Sequence, residues 1–359
     1  MKAASWLGVF SFAVLGLTSS STLAQQPHVQ NARMETRAVS GGFEAAFQGI
    51  VSAQSAPAWI GYAVPVIKGE RQNCCWNNDV RGCFLEPRTG NPTVVVVNGN
   101  PTVNLEGPTH LIVLFRVENR QVGKVRSFTP ECELDAGGLP FVWLTGVSAP
   151  ESIKVLLAIA KDTAGATREQ LRKADSALSA IALHADPAAD TALDELLAPN
   201  QPEQVRRQAI FWIANARGQH GFQVVSKVVR EDPSDKIREH AVFALTQNKD
   251  PQALEVVVSV ARNDKSVRVR GQALFWLAQR AGQKVAESAI NDAIANDPET
   301  EVKKKAVFAL TQMPAGEGIP LLIQVARTNR NPEVRKQAMF WLGQSKDERA
   351  LRYFEEVLK

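Results

Sequence analysis

The sequence lacks a strong charge of either sign. Its 359 residues include 41 Lys and Arg against 37 Asp and Glu, so the formal net charge is only +4. Proteins that bind nucleic acid usually concentrate positive charge on one face, so this balance gives no reason to expect a nucleic-acid partner. Charged residues make up 22% of the chain and hydrophobic residues 45%, as in ordinary folded proteins. The length allows two or three domains.

Signatures of catalysis are also missing. The five histidines are His28, His110, His184, His220 and His240, and none belongs to a metal-binding spacing such as His-Glu-x-x-His. The chain has no Gly-x-Ser-x-Gly nucleophile motif, no phosphate-binding loop and no dinucleotide fingerprint. We therefore expect no metal, no cofactor and no catalytic residue.

Long apolar runs are absent after the first residues of the chain. Residues 6–17 form a short apolar run that follows Lys2 and precedes Thr22-Leu23-Ala24. A positive start, a short apolar stretch and a small-residue cleavage site are typical of a signal peptide. Residues 1–24 are therefore predicted to be cleaved, so that the mature chain begins at Gln25, with an uncleaved anchor as the alternative. This predicts a secreted or periplasmic protein with no membrane span and no lipid anchor.

Cysteine is absent from residues 149–359. The four cysteines, Cys74, Cys75, Cys83 and Cys132, all lie in the N-terminal half. In an oxidising compartment such an even set predicts disulfides. Adjacent Cys74 and Cys75 would form a strained ring together, so we expect one of them to pair with Cys83 and the other with Cys132. A zinc site is the alternative, but no Cys-x-x-Cys pair or nearby histidine supports it.

Residues 25–148 mix strand and helix patterns, which predicts a small α+β domain. Residues 29–39, 59–67, 94–97 and 141–144 have the composition of strands, and residues 43–53 suit a short helix. Residues 111–128 predict a hairpin whose polar turn lies at residues 118–121. The step Ala149-Pro150 marks the predicted end of this domain.

A five-residue phrase recurs through the remaining sequence. It begins at Ala209, Ala241, Ala273, Ala306 and Ala338, in steps of 32, 32, 33 and 32 residues. A constant period of this size is typical of stacked helical units that cannot bury their apolar faces alone. The predicted fold is therefore mainly α, with an α-solenoid of helical hairpins over residues 149–359 after the α+β domain.

A helical wheel separates a core stripe from a polar face within each repeat. In one repeat Ile237, Ala241, Ala244 and Leu245 fall on one apolar stripe. The position of Ala244 is tryptophan in alternate repeats, at Trp212, Trp276 and Trp341, and these side chains are expected to point into the core. The alternation of large and small residues suggests a double repeat of about 64 residues that interlocks in the core.

The phenylalanine of each repeat falls instead on an otherwise polar arc. This arc also carries amides, cations and His240, which is expected to be solvated. An exposed aromatic series with a polar rim is typical of a surface that holds a peptide, whereas the alternative is that each ring packs against the next repeat. The candidate partner-binding residues are Phe211, Phe243, Phe275, Phe308, Phe340, Gln247, Gln279, Gln312 and Gln344.

A second series pairs acids with cations along the repeats. Asn200, Asp232, Asp264, Asp297 and Asn329 precede the helices, and Arg206, Arg238, Arg270, Lys303 and Arg335 follow six residues later. The simplest interpretation is a network that stabilises the stack.

The pattern Asp-x4-Val-Arg-x-x-Ala-x-x-Ala-Leu resembles the HEAT repeat, in particular the HEAT-like repeat of phycobilisome lyases, over about residues 165–359. The resemblance implies units of two antiparallel helices, with the Val-Arg helix on the concave side, and a role in protein–protein scaffolding. Residues 171–183 resemble a degenerate leading repeat with Ser179 in the place of phenylalanine, and residues 348–358 resemble a closing cap. Lyase activity is not expected, because it belongs with cytoplasmic substrates. Residues 25–148 resemble no family.

These observations predict a secreted or periplasmic, non-enzymatic adaptor that binds a protein or extended peptide on the concave face of the solenoid. Two other hypotheses stay open at this point. One is an envelope enzyme with its chemistry in residues 25–148 and the solenoid as a docking arm. The other is a purely structural spacer. The identity of the partner and the oligomeric state do not follow from the sequence.

Overall fold

The computed structural model describes residues 26–69, 74–75, 82–87, 107–163 and 167–359. The predicted signal peptide, residues 1–24, and the predicted strand at residues 94–97 lie outside the described residues. Within the described ranges, no helix combines the length and the apolar character that crossing a bilayer requires.

The N-terminal half contains two sheets. In chain order the strands are β1 (His28–Gln30), β2 (Arg33–Ala38), β3 (Ala58–Pro65), β4 (Gly82–Phe84), β5 (His110–Glu118), β6 (Gln121–Phe128), β7 (Glu133–Asp135) and β8 (Pro140–Thr145). The larger sheet has the order β2-β8-β3-β5-β6, in which β2, β8 and β3 are parallel and β5 and β6 form the predicted antiparallel hairpin. The smaller sheet, β1-β7-β4, is parallel. Strands β4 and β7 were not predicted, because three residues are too few to show alternation.

Fourteen helices lie within the described ranges. They are α1 (Phe43–Ala53), α2 (Ala149–Lys161), α3 (Arg168–Leu183), α4 (Ala188–Glu195), α5 (Glu203–Ala216), α6 (Gly218–Glu231), α7 (Asp235–Leu245), α8 (Ala253–Asn263), α9 (Val267–Arg280), α10 (Gln283–Asn296), α11 (Thr300–Leu310), α12 (Gly318–Thr328), α13 (Pro332–Gln344) and α14 (Glu348–Val357). From α2 onward they form the predicted α-solenoid, in which outer and inner helices alternate.

The inner row consists of α3, α5, α7, α9, α11 and α13, which pack against one another in series. The outer helices contact one another less, so the inner row lines the concave side. Some outer helices begin very close to the preceding inner helix: a Cβ atom on Gly318 would overlap the carbonyl group of Leu310. Glycine is therefore required where α12 turns back on α11.

One continuous apolar core joins the sheet to the solenoid. On β3, Ile60, Tyr62 and Val64 belong to one buried cluster together with apolar residues of α1, α2 and α3, and this cluster continues to Tyr353 in the last helix. Trp59, on the alternate face, belongs to a second cluster beneath the smaller sheet. Ile237, Ala241, Ala244 and Leu245 are all 0% exposed, which confirms the predicted core stripe.

A buried chain of hydrogen bonds also crosses this junction. The hydroxyl groups of Tyr62 and Ser152 are 2.7 Å apart, and Ser152 Oγ lies 2.8 Å from His184 Nε2. His184 Nδ1 lies 2.6 Å from the carbonyl oxygen of Ala180, to which it donates. The Nε2 atom of a neutral imidazole then accepts from Ser152, so the side-chain polar atoms of Tyr62, Ser152 and His184 all have hydrogen-bond partners when His184 is neutral. The pKa of His184 is lowered to about 4, chiefly by burial and to a smaller extent by the positive charge of Arg217. The sequence showed no sign of this network.

The two disulfides are Cys74–Cys132 and Cys75–Cys83, with Cα–Cα distances of 5.4 and 5.1 Å. This confirms the expectation that the adjacent cysteines pair with different partners. No cysteine is left as a free thiol.

Candidate partner-binding surface

Each of the five inner helices from α5 to α13 presents its phenylalanine on the concave side. Phe211, Phe243, Phe275 and Phe308 are partly exposed, and Phe340 is 53% exposed. Packing between repeats therefore buries only part of the surface of each ring. The exposed part faces the groove that the inner row lines.

The three tryptophans differ from the expectation that they point into the core. Trp212, Trp276 and Trp341 pack against the edge of the core but are partly exposed. At the equivalent position Ala244 and Ala309 are completely buried. The space there suits a methyl group, so the much larger indole projects beyond it to the concave surface.

The exposed rings form one continuous surface, which we call the aromatic strip. Phe211 and Phe243 stack with their centroids 6.1 Å apart, and Phe243 lies 4.7 Å from Trp276. Trp276 meets Phe275 edge-on at 5.1 Å. The strip consists of Trp212, Phe211, Phe243, Trp276, Phe275, Phe308, Trp341 and Phe340, in order of ring contact. Rings at these distances attract one another as well as excluding water.

The predicted amides lie beside the strip, and several are held in place by hydrogen bonds. Gln247 donates to the hydroxyl of Thr246 at 3.1 Å, and Thr246 donates to the carbonyl of Phe243 at 2.7 Å. Gln279 donates across to Gln312 at 3.4 Å. Gln344 is exposed. These side chains supply amide donors and acceptors along one border of the strip.

Positive charge lies in the turn that precedes three of the five phenylalanines, Phe211, Phe308 and Phe340. Residues three and four positions before each ring lie next to it on the helix surface. Among these, Arg207, Lys305 and Lys336 are exposed and form no ion pair with any described residue. The acid of this set, Glu239, is bound by Arg268 at 2.7 Å. The strip is therefore bordered by uncompensated cations.

His240 lies in the same set but is not the solvated residue that was expected. Its ring is partly buried, and its Nε2 atom is shielded from water without a hydrogen-bond partner. Burial lowers the pKa of His240 to about 4, with a further contribution from the charge of Arg207. His240 is therefore neutral at pH 7, and its ring lies 6.0 Å from that of Phe243.

The predicted acid–cation network is present and joins successive repeats. Arg206 binds Asp232, Arg238 binds Asp264, and Arg270 binds Asp297, each through the side chains. The cation of one repeat therefore reaches the acid of the next, and we call this series the Arg–Asp ladder. At the following step the residues are Lys303 and Asn329, and no ion pair links them. The ladder is structural, because its groups are buried at the edge of the core.

The strip ends against the N-terminal half, in a cavity of about 290 Å³. Its lining includes Arg126 from β6, Asp175 and Ser179 from α3, Trp212 and the Cys74 and Cys75 disulfides. Ser179 stands where later repeats have phenylalanine, which leaves room for this opening. Trp212 donates its indole N–H to Asp175 at 3.0 Å. Sequence reasoning missed the cavity, because its walls come from segments far apart in the chain.

None of the described residues forms a group of three or more His, Cys, Asp or Glu side chains that could hold a metal ion.

Comparisons with known proteins bear on the helical half. Residues 222–291 and 289–359 match the model of the family described as HEAT repeats. No curated protein matches the chain. Among solved structures, the complex of CpcE and CpcF of phycocyanin lyase from Nostoc is 17% identical, with a TM-score of 0.34, and the likeness covers 44% of this chain and 97% of that chain.

Two further solved structures are similar to the solenoid. The YibA protein of Escherichia coli is 24% identical, with a TM-score of 0.32, over 47% of this chain and 64% of that chain. Human deoxyhypusine hydroxylase is 15% identical, with a TM-score of 0.28, over 58% of this chain and 76% of that chain. The repeat match and the alternating inner and outer helices agree. The helical half of this chain, over residues 222–359, is therefore built of HEAT repeats.

Proposed function

We propose that this protein is a secreted or periplasmic, non-enzymatic adaptor that binds a protein or an extended peptide on the concave face of its solenoid. The observation that carries the proposal is the aromatic strip, in which eight rings touch in series across five inner helices. A contiguous apolar patch with a polar rim is the usual character of a binding surface on a soluble protein.

The energetic reason is that exposed rings gain most when a partner covers them. Burying apolar surface contributes about 25 cal/mol per Å², and aromatic side chains are the residues most often responsible for binding energy at interfaces. The neighbouring glutamines and cations would orient a polypeptide by bonding to its backbone and its charged groups. A purely structural spacer has no use for such a surface.

The test is capture of a partner from an envelope extract by the mature protein. The strip variant replaces Phe243, Phe275 and Phe308 with serine, and a milder variant replaces only the most exposed ring, Phe340. A matched control replaces Val285 and Leu351, which are exposed apolar residues on outer helices. We expect the strip variants to lose the captured partner and the control to retain it.

The thermal unfolding midpoint of each variant must be measured alongside capture. If the strip variants unfold more easily yet capture the same partner as the unsubstituted protein, the rings serve packing only and the proposal fails.

Secretion is a part of the proposal that can be tested separately. The mass and the N-terminal sequence of the exported protein should correspond to cleavage after Ala24. A protein that retains Lys2 and stays with the membrane fraction would contradict the predicted signal peptide.

A further inference from the structure

The aromatic strip contains the same three-ring group twice. The first group is Phe211, Phe243 and Trp276, and the second is Phe275, Phe308 and Trp341. In both groups the two phenylalanines stack at 6.1 Å with an interplanar angle of 10°. The second phenylalanine then meets the tryptophan at 4.7 Å in the first group and 5.0 Å in the second. We call these groups the first and second aromatic modules.

The polar surroundings of the modules are duplicated as well. Beside the second module, Gln312 donates to Thr311 and Thr311 donates to the carbonyl of Phe308. This is the same chain that joins Gln247, Thr246 and Phe243 beside the first module. The indole N–H groups of Trp276 and Trp341 are also alike, since both are buried without an acceptor. A double repeat in the sequence has thus produced two equivalent surfaces.

The spacing of the modules follows from the packing of the inner helices. Equivalent rings lie two inner helices apart, and the axes of packed helices are about 8–10 Å apart. The two modules are therefore separated by about 16–20 Å along the groove. An extended polypeptide advances about 3.3 Å per residue, so five to six of its residues span about this distance.

The charge beside the modules indicates which polypeptide suits them. Arg207 lies next to the first module, and Lys305 lies next to the second module. Lys336 lies next to the last ring of the strip. Lys305 extends over Gly271, where a Cβ atom would overlap its side chain, so the absence of a side chain at Gly271 leaves room for the lysine. The carboxylate of Glu239 is already bound by Arg268. An acidic chain would therefore meet attraction toward both ends of the strip, beside Phe211 and beside Phe308 and Phe340.

We infer that the strip recognises an extended, acidic polypeptide that carries two apolar anchor residues about five to six positions apart, one for each module. This inference rests on the proposed function and specifies its partner. Two weak contacts on one chain reinforce each other, because the second anchor binds at a high effective concentration once the first is in place. A chain whose anchors are spaced differently gains only one contact.

The experiment measures binding of labelled synthetic peptides to the full mature protein by fluorescence anisotropy. Each peptide has two phenylalanines in a background of Asp, Ser and Gly, and the spacing between the phenylalanines increases from about two to about fourteen residues. We expect the tightest binding at a spacing of five or six, at least tenfold tighter than that of a one-phenylalanine peptide. A peptide with Lys in place of Asp should bind more weakly than its acidic counterpart.

Substitution of one module separates the two contacts. Phe308→Leu keeps an apolar side chain but removes the ring, and Phe243→Leu does the same in the first module. Either variant should bind the two-anchor and one-anchor peptides equally, whereas the control Val285→Ser should keep the preference for spacing. Thermal unfolding of each variant confirms that it is folded.

Each other outcome overturns a distinct claim. Binding that does not depend on spacing removes the two-module inference but leaves the proposed function in place. A maximum at a spacing of about eleven to thirteen residues would indicate a helical partner, which advances about 1.5 Å per residue. Preference for the basic peptide overturns the charge argument. Failure to bind any peptide while a partner is still captured from extract overturns the inference alone, and loss of capture as well overturns the proposed function.

Discussion

Removal of the Arg238 side chain should destabilise the solenoid more than removal of the Arg335 side chain, which lies at the corresponding position in the last repeat. Arg238 is only 1% exposed, and its guanidinium group donates to both carboxylate oxygens of Asp264, at 2.9 and 3.0 Å. It also donates to the carbonyl oxygens of Asp232 and Pro233 and to the side chain of Asp235. The side chain therefore joins its own repeat to the next one. Arg238→Ala leaves Asp264 buried without its cation.

The expected size of the effect follows from that burial. Removing one partner of a buried ion pair costs about 3–5 kcal/mol of unfolding free energy, because the other charge stays in a site of low dielectric. Arg335 occupies the same position in the last repeat, but it donates only to the carbonyl oxygens of Asn329 and Arg330. Loss of such bonds costs about 1 kcal/mol. The two alanine variants should therefore differ by about 2–4 kcal/mol.

The assay is urea-induced unfolding of the oxidised mature protein, followed by far-ultraviolet circular dichroism. A double-mutant cycle with Asp264→Asn isolates the contribution of the pair, and a coupling energy of about 1–3 kcal/mol is expected for side chains in direct contact. If Arg238→Ala costs no more than Arg335→Ala, or if the coupling energy is zero, the Arg–Asp ladder does not stabilise the stack and the reasoning is refuted.

Three other predictions concern stability. Gly318→Ala should lower the free energy of unfolding by about 1–3 kcal/mol, because the new methyl group overlaps the preceding helix. Gly343→Ala, whose methyl group meets nothing within 4 Å, should instead raise it by about 0.5–1 kcal/mol in the same urea assay. Equal effects of the two substitutions would contradict the close approach of α12 to α11. Replacing Cys74 and Cys132 together by serine removes a disulfide between residues 58 positions apart. We expect the free energy of unfolding to fall by about 4 kcal/mol, measured by urea unfolding without reductant. An unchanged free energy of unfolding would contradict the entropic estimate. The pKa of His184 is lowered from 6.5 to about 4 in the folded protein, so the unfolded chain takes up the proton first. The contribution of His184 to the free energy of unfolding is therefore fully present above pH 6.5 and falls by about 3 kcal/mol as the pH drops to 4. His184→Gln should lack this pH dependence. An unchanged pH dependence in that variant would show that the imidazole does not cause it.

The architecture of the helical half was predictable because its signal is local and repeated. An α-helix turns about 100° per residue, so the spacing of Ile237, Ala241 and Leu245 places them on one stripe whatever surrounds the helix. Five copies of the same spacing made the stack and its core stripe predictable, and the Arg–Asp ladder follows from the same register. The separate partners of the neighbours Cys74 and Cys75 were also predictable, since a bond between the two would be strained, but which of them takes Cys132 was decided only by the structure.

The candidate site was predictable only in part. The wheel placed the phenylalanines on the polar arc, and the structure finds each of them partly exposed on the inner row. The same wheel placed Trp276 in the core and left His240 in solvent, and the structure differs on both. A helical wheel gives a direction around one helix but not the space available in that direction. That space depends on the neighbouring helix, which belongs to another repeat.

The sequence by itself determined the period, the helices, the core stripe and the face that carries Phe211 and its equivalents, because these depend on residues within one helix or at a constant separation. Only the tertiary structure decided that the tryptophans join the phenylalanines in one strip, that Tyr62, Ser152 and His184 share a buried hydrogen-bond chain, and that the strip ends at a cavity beside Arg126. These features arise where segments far apart in the chain meet. Their positions depend on how the sheet packs on the first helix pair and how the repeats curve, and no local pattern encodes that geometry.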